Sequence, residues 1–87
     1  MKLSIIIPVF NEEKNIEKVI SQVKNAPVKI DKEIIIVDDG SKDQTGDILK
    51  KFSRDKSIKI FLLKENSGKG YAIRQGLKEA TGEIVLI

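Results

Sequence analysis

The chain has 87 residues, 40% hydrophobic and 33% charged, and carries a net charge of +3 from 16 basic and 13 acidic side chains. That length allows one small domain with a modest core, and the composition excludes a disordered chain; the longest apolar runs, Ile5 to Ile7 and Ile34 to Val37, are far too short to cross a bilayer. With no Cys and no His, a disulfide framework, a thiolate or His-ligated metal and a histidine-based triad are excluded within these residues, and the mild positive excess with few aromatics gives no case for a nucleic-acid partner.

Met1-Lys2 runs directly into strand-like sequence, with no signal-peptide pattern, so a cytoplasmic location is expected. Leu3 to Pro8 is a short apolar strand whose terminal proline cannot donate to a ladder. Asn11-Glu12-Glu13 reads as a polar helix start, with carboxylates where the helix dipole favours them. Ile16, Val19, Ile20 and Val23 then recur at i, i+3, i+4, i+7, one apolar stripe on a helix that Asn25-Ala26-Pro27 breaks. Glu33 to Asp38 is a second strand, and its unbroken Ile-Ile-Ile-Val predicts burial on both faces in a parallel sheet. Asp43 to Arg54 reads as a helix with Ile48, Leu49 and Phe52 inward, and Ile58 to Leu63 as a third strand. Gly68 to Thr81 holds a third helix with Ile73, Gly76, Leu77 and Ala80 on its stripe, Gly82 as its C-cap, and Glu83 to Ile87 opening a fourth strand.

The alternation βαβαβαβ predicts an α/β fold around a parallel sheet. Ligands of such sheets sit beyond the carboxyl ends of the strands. Three segments lie there: residues 9–12, 38–45 and 64–70, all rich in polar groups and glycine.

Known phosphate signatures are absent. The first β–α turn has no glycine, which removes the dinucleotide fingerprint. Gly68-Lys69-Gly70 lacks both the glycine five residues before the lysine, where Lys64 stands, and a following Ser or Thr, which disfavours a Walker-type NTPase. The stretch can still offer backbone N–H groups and an ammonium to a phosphate at a helix N-terminus, or be a plain helix entry with a solvated lysine. Asp38 and Asp39, adjacent on extended chain, point to opposite sides and so chelate poorly. One of them can order the turn through Gly40 and Ser41, and Asp39 can reach the crevice. Ser41 or Asp43 can cap the next helix. Glu12 can accept from a sugar hydroxyl or a base edge, and Phe10 can either stack on a base or belong to the core.

Three stretches in order, "SIIIPVFNEEKNI", "EIIIVDDGSKDQTGDIL" and "NSGKGYAIRQGLKEATGEIVLI", resemble the start of a family 2 glycosyltransferase. The opening Pro-x-aromatic-Asn-Glu and the "GKGYAIRQGLKEATGE" segment resemble dolichol- and polyprenyl-phosphate mannose or glucose synthases. The resemblance implies a Rossmann-like half of a GT-A fold, with four mainly parallel strands in the order 3-2-1-4 and three helices. It assigns nucleotide contacts to Pro8, Phe10, Glu12, Val37 and Asp39 and places the Gly68-Lys69-Gly70 turn near the diphosphate or lining the crevice. Asp38, Ser41 and Asp43 are then read, from their turn and capping chemistry, as ordering the loop.

The resemblance further implies a GDP- or UDP-linked donor, a polyprenyl phosphate or glycan acceptor, inverting transfer, Mg or Mn, and a parent protein at the cytoplasmic face of a membrane. Phe10 stands where the family commonly has Tyr. The family's metal-binding Asp-x-Asp would follow the fourth strand and is not found among these residues, nor are a catalytic base or an acceptor site. The chain therefore reads as the N-terminal nucleotide-sugar-binding part of a larger domain, cut after its fourth strand and inactive alone. Two rivals are a non-catalytic α/β piece that self-associates through an uncovered sheet, and a receiver-like signalling domain, whose phosphorylatable Asp after a later strand is not identifiable here.

Overall fold

In the computed structural model, which describes residues 1–27 and 29–87, the β-branched runs form the strands and the 3.6-periodic runs the helices. Among these residues the order is β1 (Lys2–Val9), α1 (Ile16–Lys24), β2 (Asp31–Asp38), α2 (Thr45–Lys50), β3 (Ile58–Leu62), α3 (Lys69–Glu79) and β4 (Ile84–Leu86). The four strands make one sheet in the order β3-β2-β1-β4. All pairings are parallel, with Ile5 opposite Ile34 and Leu86, and Ile36 opposite Ile60.

β2 occupies the interior of the sheet, and every residue from Glu33 to Asp38 is buried. Alternation divides the run between two cores. Ile34 and Ile36 join Val9, Ile58, Ile16 and Ile20 of α1, and Leu49 of α2 on one face. Ile35 and Val37 join Ile6 and Ala72 of α3 on the other. Each fully buried isoleucine contributes roughly 1.5–3 kcal/mol, so this strand alone supplies several kcal/mol of burial to both cores. No described helix is long and apolar enough to cross a membrane.

Three helix boundaries differ from expectation. α1 begins at Ile16 rather than at Asn11, because the amides of residues 11–13 donate to side chains of the next loop instead of opening a helix. α2 ends at Lys50, and the chain continues to Asp55 through i→i+3 turns that tuck Phe52 against the core. The C-cap of α3 is Ala80, in extended conformation, so Gly82 is not the cap. The buried stripe of α3 also shifts: Ala72 and Gly76 face the sheet, while Leu77 is exposed. The helix lies so close to β1 that a Cβ on Gly76 would stand 2.6 Å from Ile6 Cγ2. A small residue there is a packing requirement.

At the amino end of the sheet, the α3–β4 junction is held by a buried carboxylate. Glu33 Oε2 accepts from Ser4 Oγ (2.5 Å), the Thr81 amide (2.7 Å) and Thr81 Oγ1 (3.0 Å). Its Oε1 has no hydrogen-bond partner of good geometry, but it pairs with the ammonium of Lys59 at 3.0 Å and with that of Lys2 at 3.7 Å.

Candidate functional site, a cleft at the carboxyl ends of the strands

The first two loops are clasped together by their own polar groups. Asn11 has φ +51, a left-handed conformation that Asn tolerates better than most residues. Its amide donates to Ser41 Oγ at 2.8 Å, and its Oδ1 accepts from the Lys42 amide at 2.9 Å. The Glu12 amide donates to Thr45 Oγ1 at 2.9 Å, and the Glu13 amide to Asp43 Oδ2 at 3.3 Å. Thr45 Oγ1 in turn donates to Asp43 Oδ1 at 2.5 Å, and the Thr45 amide donates to the same oxygen at 2.9 Å. Three consecutive backbone donors of the first loop thus end on side chains of the second.

Ser41 does not cap α2; Asp43, besides its part in this clasp, accepts from the amide of Thr45, the first residue of α2. Burial works to raise the pKa of Asp43, but the hydrogen bonds from Thr45 and from the Glu13 amide outweigh it and hold the carboxyl below its usual range.

Asp38 and Asp39 part company as strand alternation requires. Asp38 Oδ1 accepts from the amide of Ser41 at 3.3 Å and from its hydroxyl, closing the turn after β2. Asp39, only 3% exposed, faces the opposite way. Its Oδ1 accepts from the Ser67 amide at 2.8 Å, and its Oδ2 from the Gly68 amide at 2.9 Å and Asn66 Nδ2 at 3.1 Å. The second and third loops are therefore joined through this carboxylate. Between them lies Gly40, at φ +73, where a Cβ would come within 2.4 Å of the Glu65 carbonyl carbon. Only glycine meets both demands.

These contacts frame a cleft of about 330 Å³ lined by Pro8, Val9, Phe10, Glu12, Asp39, Asn66, Gly68 and Lys69. Six of the residues singled out from the sequence, Pro8, Phe10, Glu12, Asp39, Gly68 and Lys69, share this one cavity. Phe10 is 43% exposed at its mouth, so it is not a core residue. Val37 is a different case: its side chain is fully buried beneath α3 with Ile6 and Ala72 and does not line the cleft. The inward phase of β2 on that face takes Ile35 and Val37 into the core and delivers only Asp39 to the rim.

Sequence reasoning missed Val9 and Asn66 as lining residues and Asn11 and Thr45 as clasp residues. The turn-forming Asn-Ser-Gly before α3 was the available signal for Asn66. Asn11 and Thr45 had none, because their partners lie 30 or more positions away.

The described residues do not form a metal centre. No three Asp or Glu side chains converge, and the two adjacent aspartates diverge with their oxygens engaged by N–H and O–H donors.

A family profile described as "Glycosyl transferase family 2" matches residues 4–87. The chain belongs to that family. It is 34% identical over its whole length to a dolichol-phosphate mannosyltransferase of Pyrococcus furiosus, of which it covers 25%. Its fold superposes on S. aureus TarS 1–349 in complex with UDP-GlcNAc with a TM-score of 0.82 and 40% identity, covering 99% of this chain and 25% of that one. The mannosyltransferase PcManGT of Pyrobaculum calidifontis, in complex with GDP-Man and Mn2+, matches with a TM-score of 0.79 and 28% identity over 95% of this chain and 25% of that one. The fold is thus the Rossmann-like α/β arrangement of GT-A glycosyltransferases, and the expected order 3-2-1-4 is the order observed. The chain spans about a quarter of the length of these relatives.

Proposed function

We propose that this chain is the N-terminal nucleotide-sugar-binding part of an inverting family 2 glycosyltransferase that transfers a hexose from a GDP- or UDP-linked donor to a polyprenyl phosphate or glycan. The observation that carries the reading is the single cleft that gathers Pro8, Phe10, Glu12, Asp39, Gly68 and Lys69 at the strand ends of a chain belonging to this family. Related proteins of the same fold hold UDP-GlcNAc and GDP-Man.

In this reading the exposed ring of Phe10 covers a base face. Asp39 Oδ1, which among the described residues has one N–H donor, accepts a further hydrogen bond from the base or ribose. Glu12 accepts from a ribose hydroxyl or a base edge. The Lys69 ammonium and the amides opening α3 face the diphosphate, where backbone N–H groups and the helix dipole favour negative charge. A divalent ion would neutralise the leaving diphosphate, but the described residues do not fit one. Nor does any described residue take the part of the base that activates the acceptor, so this chain binds and orients the donor rather than turning it over alone.

Calorimetric titration of the chain with GDP and with UDP, with and without Mn2+, tests the reading. Saturable binding of one nucleotide is expected, weakened roughly ten-fold or more in Phe10→Ala, as loss of one base–aromatic stack requires. Binding of neither nucleotide would overturn it.

β4 favours a second reading, self-association of a non-catalytic unit. Among the described residues the strand is an edge of the sheet, and Ile84, Val85, Leu86 and Ile87 are all exposed. Beside it lies an apolar groove lined by Leu3, Ile5, Val23, Ala26, Leu86 and Ile87, among others. Light scattering that shows a concentration-dependent mass, without stabilisation by either nucleotide, would select this reading.

A further inference from the structure

We infer that Asn11 is a positioning residue for the donor nucleotide: its left-handed backbone and its paired hydrogen bonds to Ser41 and Lys42 aim Phe10 and Glu12 into the cleft. The inference rests on the reading of that cleft as the nucleotide site.

Phe10 and Glu12 flank Asn11 and line the cavity, whereas Asn11 itself is not among the lining residues. A residue at φ +51 reverses the path of the chain, so the conformation of Asn11 decides where its two neighbours point. That conformation is held from outside the loop. The amide of Asn11 donates to Ser41 Oγ, and its side-chain Oδ1 accepts from the Lys42 amide. Ser41 is fixed in turn by Asp38 Oδ1. The Glu12 amide is likewise tied to Thr45 Oγ1, which is fully buried.

The tie is directional. β1 ends at Val9 and α1 begins only at Ile16; the Glu12 carbonyl accepts from the Asn15 and Ile16 amides, whereas Phe10 and Asn11 lie in neither strand nor helix. Glycine would permit the same φ but could not accept from Lys42. Aspartate keeps both the acceptor oxygen and the tolerance for left-handed backbone. Alanine has neither. These three substitutions separate the backbone preference from the hydrogen bond.

The test measures affinity for UDP and GDP, alongside affinity for inorganic pyrophosphate, in the parent chain and in Asn11→Gly, Asn11→Asp and Asn11→Ala. Melting temperatures and amide exchange at Lys42 are recorded for each. If Asn11 positions Phe10 and Glu12, Asn11→Gly loses roughly five-fold or more in nucleotide affinity, the scale of one net hydrogen bond. Its pyrophosphate affinity stays unchanged, its Lys42 amide exchanges faster, and Asn11→Asp restores nucleotide binding. Equal losses for nucleotide and pyrophosphate, or a lowered melting temperature with unchanged affinity, would overturn the positioning role. So would a Lys42 amide that exchanges equally fast in parent and Asn11→Gly, a readout independent of any ligand. Failure of the parent chain to bind either nucleotide would overturn the site reading and this inference with it, and is distinguished by needing no variant.

Discussion

Truncation of Asp39 should loosen the whole far wall of the cleft. Its carboxylate is buried and accepts from the Ser67 amide at 2.8 Å, the Gly68 amide at 2.9 Å and Asn66 Nδ2 at 3.1 Å. Hydrogen bonds to a charged acceptor each contribute about 1.5–3 kcal/mol. Asn66 and Ser67 are exposed, however, so water can satisfy their donors once the carboxylate is gone, and removing a buried charge also relieves its desolvation cost. The net loss in Asp39→Ala is then about 2–4 kcal/mol, less than the sum of three bonds. For a domain of this size each kcal/mol moves the melting temperature by about 4–8 °C, so a fall of roughly 8–32 °C is expected in circular dichroism melts. Asp39→Asn keeps one acceptor oxygen but turns an NH2 group toward one set of N–H donors, and should cost about 1–2 kcal/mol. If Asp39 also accepts from the base, Asp39→Asn additionally weakens nucleotide binding by about 1–3 kcal/mol. A melting temperature for Asp39→Ala within about 2 °C of the parent would refute the argument that this carboxylate joins the loops.

Gly40→Ala meets two costs at once, a positive φ and a Cβ 2.4 Å from the Glu65 carbonyl carbon, and should destabilise by roughly 2–4 kcal/mol in urea titration. Gly76→Ala sets a helix-propensity gain of about 1 kcal/mol against a Cβ 2.6 Å from Ile6 Cγ2. Overpacking costs about 1–3 kcal/mol, so a small net loss is expected, and a stabilised variant would show that α3 can lift away freely. Burial acts to raise the pKa of Glu33, yet the bonds from Ser4 and Thr81 and the Lys59 ammonium overcome it and lower the value from 4.5 to about 2. Because the folded value lies below the unfolded one, the stabilisation is complete above about pH 4.5 and is lost as pH falls toward 2. Acid titration of stability should therefore be less steep in that window for Glu33→Gln than for the parent.

The architecture was legible in local sequence pattern. The unbroken Ile34 to Val37 run, the helical stripe of Ile16 to Val23 and the regular alternation of elements left one economical arrangement, a parallel sheet covered on both faces, and three motifs in order identified its family. The same local pattern also meant that Asp38 and Asp39 could not act as a chelating pair, since period-2 alternation is a local property of extended chain. What Asp39 and Glu33 hold depends instead on contacts distant in sequence. Asp39 meets amides 28 and 29 positions away, and Glu33 meets Thr81, 48 positions away. The late start of α1 had the same origin, because the amides of Asn11, Glu12 and Glu13 found acceptors on Ser41, Thr45 and Asp43. Helix starts read from local pattern assume that the first amides have no better partner. Here a neighbouring loop supplied one, and the cleft owes the placement of Phe10 and Glu12 to that exchange.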